Sequence, residues 1–291
     1  MRKILFIINP KSGTDEKKHF SSQANHILDK KLFSYETAYT EYRGHATALA
    51  ADASQKGTEI IIAIGGDGSV NEVAQGIIGT ESILAIVPRG SGNGLARSLK
   101  IPLNLARSLE RINRFSTKTI DVGYANNHLF LSNAGVGFDT LIARLFQNRT
   151  QRGLINYTRL VMQAVRKYPS KHYHLIADGK EMDERAFFVA AANSDQFGYN
   201  FKIAPNALLD DGLLDVCIMK PLKPGHLPQV SFKSLTGRLE GSRYATHLRC
   251  KNLIITRDEP LEWLQVDGDA FEVKDNRVEI YIKPHCLKVI V

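Results

Sequence analysis

Residues 65–72 read Gly65-Gly66-Asp67-Gly68-Ser69-Val70-Asn71-Glu72, three glycines and two carboxylates among short side chains. They follow Ile60 to Ile64, five apolar residues of which four are isoleucine, a run that reads as a strand buried on both faces in a parallel sheet. Val70 to Ile78 has the spacing of a following helix. A strand, a glycine turn and a helix N-terminus make an anion site, because unpaired main-chain N–H groups and the helix dipole point at the ligand. The glycines are expected to adopt backbone angles that side chains forbid and to let those amides come close. Asp67 narrows the choice of anion. A carboxylate beside phosphate-binding amides repels the ligand unless a divalent cation sits between them, so Asp67 reads as a magnesium–nucleotide residue. Asn71 and Glu72, on the first helical turn, are expected to point back at the same loop. The plain alternative is a glycine turn in which Asp67 caps the helix.

The elements that must hold this loop alternate strand and helix. Lys3 to Ile8 and Phe33 to Thr40 read as strands, Thr14 to Lys31 and Gly44 to Lys56 as helices. Ile83 to Val87 is another buried strand, and Leu95 to Arg114 is helical with a break at Pro102. This βαβ punctuation implies a parallel sheet, whose ligands sit at the carboxyl ends of the strands. The unusual residues fall at those ends: Asn9-Pro10-Lys11-Ser12-Gly13, Thr40, Gly65 to Gly68, and Pro88-Arg89-Gly90-Ser91-Gly92-Asn93-Gly94. Four polar or glycine-rich loops are therefore expected to converge on one edge.

Beyond Thr119 the texture changes to short β-type runs from Lys118 to Tyr124 through to Leu287 to Val291. Asp139 to Gln147, Ile155 to Lys167 and Gly225 to Ser234 are the helical exceptions. The expectation is an α/β nucleotide-binding domain over 1–120 and a mainly antiparallel sandwich over 121–291. With 291 residues and 43% hydrophobic content there is ample material for both cores. No apolar run approaches the roughly 18 residues of a membrane span, and Met1-Arg2-Lys3 leads straight into a strand, so a cytoplasmic protein is expected. Cys217, Cys250 and Cys286 are far apart and odd in number, which suits reduced thiols.

The net charge of +8 is concentrated. No acidic residue lies between Thr140 and Ala177, while Arg144, Arg149, Arg152, Arg159, Arg166, Lys167 and Lys171 do, interleaved with apolar residues. Such a segment is drawn to anionic headgroups at about 1 kcal/mol per cation near the surface. Peripheral contact with an anionic membrane is the expected use. A solvated helix face is the alternative, nucleic acid is not an expected partner, and a homodimer is left open.

With these residues placed, the chain resembles the diacylglycerol kinase catalytic-domain family of lipid kinases, which includes YegS-like, sphingosine and ceramide kinases. The resemblance rests on Asn9 to Gly13, Gly65 to Glu72, Gly90-Ser91-Gly92-Asn93, Asn133 to Asp139, Asp210-Asp211-Gly212-Leu213-Leu214 and Asp267-Gly268-Asp269, in that order. It implies an ATP- and magnesium-dependent transfer of phosphate to a lipid hydroxyl such as that of diacylglycerol or a sphingoid base. ATP would be held by Asn9, Thr40, Gly65, Gly66, Asp67, Gly68, Ser69, Asn71, Glu72, Ser91 and Asn93. Asp67 would act with magnesium at the phosphates and Asp269 as the general base, the acceptor entering between the domains. The family's second-domain magnesium would map onto Asp211 with the main-chain carbonyls of Leu208 and Leu213. Two departures stand out: Asp269 where the family usually has Glu, and Gly90 to Gly94, which is closer to the sphingosine and ceramide kinase pattern. His45 is expected to be structural or at the nucleotide edge. A soluble-substrate kinase of the NAD kinase type and a nucleotide-binding surface protein without catalysis are the alternatives.

Overall fold

The computed structural model describes residues 1–10, 20–147, 154–197 and 200–291. Lys11, Ser12 and Gly13 of the first loop, and Arg149 and Arg152 of the basic segment, lie outside the described residues. The chain forms two compact units, Met1–Ile120 with His285–Val291, and Asp121–Pro284.

In the first unit β1 (Arg2–Ile8), α1 (Phe20–Ile27), β2 (Phe33–Tyr39), α2 (His45–Gln55), β3 (Ile60–Gly65), α3 (Asp67–Ile77), β4 (Ile83–Pro88), α4 (Gly94–Ser98) and α5 (Leu105–Arg114) follow in turn. The strands pair in parallel in the order β2-β1-β3-β4. Every residue of β3 and β4 is buried, which is why both read as unbroken apolar runs. Phe6, Ile8, Ile60, Ile62 and Ile64 pack with Phe20 of α1 and Leu109 of α5, each buried side chain contributing about 1.5–3 kcal/mol. Helices α2 and α3 cross so closely that a Cβ on Gly76 would lie 2.5 Å from the Thr47 carbonyl oxygen and 2.8 Å from Ala50 Cβ. That crossing fixes where α3, and hence its first residue Asp67, begins. Helix α1 ends before the expected Lys31 because Leu32 and Phe33 donate back to the Asp29 carbonyl and the Asp29 side chain accepts from Lys31 N–H.

The chain continues with β5 (Thr117–Ala125), β6 (His128–Phe130), β7 (Asn133–Gly137), α6 (Phe138–Gln147), α7 (Leu154–Val165), β8 (Lys171–Ala177) and β9 (Lys180–Ala186). Then come β10 (Phe188–Ala192), β11 (Leu214–Met219), α8 (Leu227–Leu235), β12 (Ala245–Cys250), β13 (Asn252–Thr256), β14 (Glu262–Val266), β15 (Asp269–Val273) and β16 (Arg277–Ile290). One antiparallel sheet of the second unit runs β12-β11-β10-β7-β14-β15, and β16, β13, β8 and β9 pair in antiparallel order in the other. Val136, Val189, Val216 and Leu264 from the first meet Leu175, Leu253, Ile255 and Ile280 from the second in a shared core. The architecture is thus the expected parallel α/β unit with an antiparallel sandwich.

Three strands were not expected. Lys-Glu-Met-Asp-Glu-Arg-Ala of β9 is a charged sheet edge with its outer residues in solvent, the composition that blunts edge pairing. Strands β12 and β15 likewise end the other sheet. The two runs at the C-terminus are one strand, β16, whose last residues belong to the first unit, where Val289 pairs with Leu84.

Helix α7 turns Leu160, Val161 and Val165 into the core and leaves Arg159, Arg166 and Lys167 exposed. These three apolar side chains of the basic segment are committed to packing, while Leu145 and Met162 are exposed. Among the described residues no helix is long and apolar enough to cross a membrane. All three cysteines are free; burial pushes the Cys250 thiol up to about 12 and Cys217 higher still, so both stay protonated.

Asp139, near the start of α6, is a buried carboxyl whose Oδ2 has no hydrogen-bond partner, while Oδ1 accepts from Thr140 N–H at 2.9 Å. Burial outweighs the amide hydrogen bonds and pushes its pKa from 3.8 up to about 7. Between those values the folded chain keeps a proton that the unfolded chain has released. This group's contribution is therefore fully present below about pH 4 and is lost as pH rises towards 7. Asp139→Asn removes the titration. Urea unfolding at pH 4.5 and 7.5 should show the variant gaining on the parent by a few kcal/mol, in order of magnitude, at the higher pH. A difference between the two proteins that does not change with pH would contradict it.

Candidate active site

Gly66 is the N-cap of α3 with φ −91° and ψ −172°, an extended conformation open to any residue. Gly65, Gly66 and Gly68 are all absent from the positive-φ positions. The expectation of forbidden backbone angles is therefore corrected: the loop needs glycine for close approach. A Cβ on Gly66 would lie 3.2 Å from Gly90 Cα, and one on Gly90 would lie 2.5 Å from Gly66 Cα. The loops after β3 and β4 are in backbone contact, and side chains at these two points would part them. Gly66→Val should weaken ATP binding by about tenfold or more, by steric separation of the loops. Undiminished affinity by calorimetry in a folded variant would remove Gly66 from the site.

Asn93 clamps the second loop. In a left-handed conformation at φ 51°, it accepts from Gly90 N–H at 2.9 Å and donates to the Gly90 carbonyl at 2.7 Å. Arg97 Nε holds the Gly92 carbonyl at 3.0 Å. Asn93 is buried and Ser91 is exposed at the tip, so the loop is shaped by one residue and presents another. Asn9, after β1, donates from Nδ2 to Ser69 Oγ at 3.2 Å, which ties the first strand-end loop to the first turn of α3. Thr40 is buried after β2, its N–H on the Ile8 carbonyl. The structure thus gathers Asn9, Gly66, Asp67, Ser69 and Gly90 to Asn93 at adjacent strand ends.

Asn71 is buried and accepts from Gln75 Nε2 at 2.6 Å. Glu72 does something the sequence reading did not assign. Its Oε2 accepts from Ala46 N–H at 3.3 Å and its carbonyl from Thr47 Oγ1 at 2.8 Å, so it caps α2, whose own N-cap Gly44 has no side chain to offer. His45 is held in place by Glu41 N–H on its Nδ1 and by stacking on Tyr42 at 4.6 Å.

In the second unit Asp269 opens β15 directly after Asp267 and Gly268, which have φ 47° and 90°. Positive φ at both central residues gives the tight primed hairpin turn that Asp-Gly favours. The Asp267 carboxylate accepts from the N–H groups of Leu131 and Ser132 at 2.8 Å and of Asn133 at 3.1 Å. That anchoring role was missed; its signal was an Asp-Gly pair between two apolar runs. A buried polar belt backs it, with Gln265 Nε2 donating to Asn133 Oδ1 and Asn193 Nδ2 to the carbonyls of Asp121 and Leu131.

The resemblance implies a second-unit metal at Leu208, Asp211 and Leu213. The Asp211 carboxylate pairs with Arg249, accepts from Leu213 N–H at 3.1 Å, and Arg249 also reaches Asp215 at 3.4 Å. Among the described residues no group of three or more His, Cys, Asp or Glu side chains could hold a metal ion. The Asp67 Oδ2 faces the second loop at the N-terminus of α3, 3.3 Å from where a Cβ on Gly92 would stand.

The diacylglycerol kinase catalytic domain model matches residues 3–125, and that of the YegS C-terminal NAD kinase beta sandwich-like domain matches residues 132–291. The chain belongs to the diacylglycerol kinase family of lipid kinases. It is 25% identical to a diacylglycerol kinase of Bacillus subtilis over 92% of this chain and 90% of that one. A diacylglycerol kinase of Staphylococcus aureus is 28% identical over 92% and 87%. The crystal structure of a diacylglycerol kinase from Bacillus anthracis has the same fold, with a TM-score of 0.77 at 24% identity over 99% and 96% of the chains. An NAD kinase from Archaeoglobus fulgidus, solved with ATP, shares the fold more distantly, at 11% identity over 100% and 94% and a TM-score of 0.53. The kinase is accordingly a phosphotransferase with an alcohol group as acceptor.

Proposed function

We propose that the kinase transfers the terminal phosphoryl group of ATP to a hydroxyl of a membrane lipid, diacylglycerol or a sphingoid base being the acceptor class. The observation that carries this reading is the backbone contact between Gly66 and Gly90, which sets Asp67 and the N-terminus of α3 against the loop that Asn93 clamps. Phosphoryl transfer asks for little covalent chemistry from the protein, and positioning and charge stabilisation carry most of it. The loop amides and α3 dipole bind the phosphate oxygens, and Ser69, steadied by Asn9, orients a hydroxyl at the same place. Asp67 would hold magnesium, which when bound neutralises charge developing on the phosphates. Asp269 would take the proton of the acceptor hydroxyl, its position fixed by the Asp267 anchor.

Exposed Arg159, Arg166 and Lys167 support peripheral attachment to an anionic bilayer, with Leu160 and Val165 packed inward and Met162 exposed on the same helix. Radiolabelled ATP offered with diacylglycerol, monoacylglycerol, sphingosine, ceramide and phosphatidylglycerol in mixed micelles tests the reading. Labelled phospholipid from one of them is expected. Turnover of NAD with none of the lipids labelled would replace the reading with a soluble-substrate kinase.

A further inference from the structure

The second unit contains a cavity of about 60 Å³ that the chemistry above leaves unused. Three cations line it, Arg144 from the last turn of α6, Lys171 at the start of β8 and Arg257 just past β13. Three aromatic rings line it too, and each carries one of the cations. Arg144 lies 4.7 Å from the Trp263 ring centre, Lys171 5.5 Å from Tyr168 and Arg257 5.7 Å from Tyr173. The rings orient the cations without neutralising them.

Acidic residues balance this wall only in part. Arg257 pairs at 2.7 Å with Glu259, whose side chain is 80% exposed, Glu262 stands exposed at the rim and acts with Glu259 on Lys171, and Asp139, near enough to act on Tyr168 and Tyr173, has its carboxyl pushed by burial up to about 7. Among the described residues, neither Arg144 nor Lys171 forms an ion pair with a carboxylate. The arrangement costs free energy as it stands: the Arg257 side chain is only 7% exposed, and Lys171 is held below its ordinary range by burial and then by the Arg257 charge. An anion between the cations would relieve that repulsion, and guanidinium edges are shaped to bind oxyanions. The phenols do not compete as anions. Burial pushes Tyr173 up to about 12 and Tyr168 higher, so both remain neutral hydroxyls. At about 60 Å³ the cavity is small beside the roughly 300–1,000 Å³ of sites that take drug-sized ligands, so a compact group such as one tetrahedral oxyanion is the size it suits.

We propose that this cavity is an oxyanion site that takes a phosphate group, either the headgroup phosphate of an anionic lipid or free inorganic phosphate. None of its residues belongs to the nucleotide loops or the Asp267 to Asp269 turn, so the proposal does not depend on the kinase reading.

The test compares the parent with the double variant Arg144→Gln, Lys171→Gln and with the charge-preserving Arg144→Lys, Lys171→Arg. Both positions are partly exposed, and thermal unfolding checks the fold. Inorganic phosphate is titrated by calorimetry, and flotation is measured on phosphatidylcholine vesicles with and without phosphatidic acid. Phosphate affinity is expected to fall at least about tenfold in the neutral variant and to persist in the charge-preserving one. A loss seen with phosphate alone identifies the free ion as the ligand, and a loss seen with phosphatidic acid vesicles identifies the headgroup. Any phosphate held by the glycine loops is common to all three proteins and cancels. Equal binding of both probes by parent and neutral variant overturns the site, and so does equal loss in the neutral and charge-preserving variants.

Discussion

Asp67→Ala is expected to reduce the maximal rate by about 10³-fold or more, the scale on which removal of a transition-state charge stabiliser acts, while leaving the fold intact. The carboxylate lies at the first residue of α3, partly exposed, on a turn whose shape is set by the Gly66–Gly90 approach and the Asn93 clamp. None of those contacts needs Asp67. Thermal unfolding should therefore stay within a few degrees of the parent, less than about 1 kcal/mol. A folded Asp67→Ala protein with magnesium-dependent activity near the parent level would refute the assignment.

Asp269→Asn should lower the maximal rate by about 10² to 10⁴ with ATP affinity nearly unchanged, since the role proposed for Asp269 is at the acceptor hydroxyl and not at the nucleotide loops. Its carboxylate is one methylene shorter than the Glu the family pattern carries. A displacement of about 1 Å can cost a hundredfold when it misplaces a reacting group. The turn offers a way to offset that length: Asp267 and Gly268 at positive φ bend the chain sharply, and three N–H groups pin Asp267. Asp269→Glu is expected to retain measurable activity. Lipid turnover by Asp269→Asn at the parent rate would move the proton acceptor elsewhere, with Asp67 the next residue to test.

The sequence alone determined a good deal. Unbroken apolar runs at Ile60 to Ile64 and Ile83 to Val87 could only be strands buried on both faces, and that required helices on each side and a parallel sheet. Three glycines and an aspartate at the end of such a strand marked the loop as the candidate anion site, because that chemistry is in the main chain and needs no distant partner. Short-range signals sufficed for all of this.

Only the tertiary structure decided the rest, since it depends on which distant residues meet. Gly66 is glycine because Gly90, on another strand, comes within reach of its Cα, not because its own φ requires it. Glu72 looked like a loop-facing carboxylate and instead caps α2, a contact between residues 26 apart. Asp211 pairs with Arg249, 38 residues on, on a strand that reads weakly because it lies at a sheet edge. Asp267 anchors a segment more than 130 residues earlier, and Arg144, Lys171 and Arg257 converge on one cavity from three separate elements. Residue type and spacing record local chemistry, whereas the partner of a buried charge is set by packing, and no pattern along the chain encodes it.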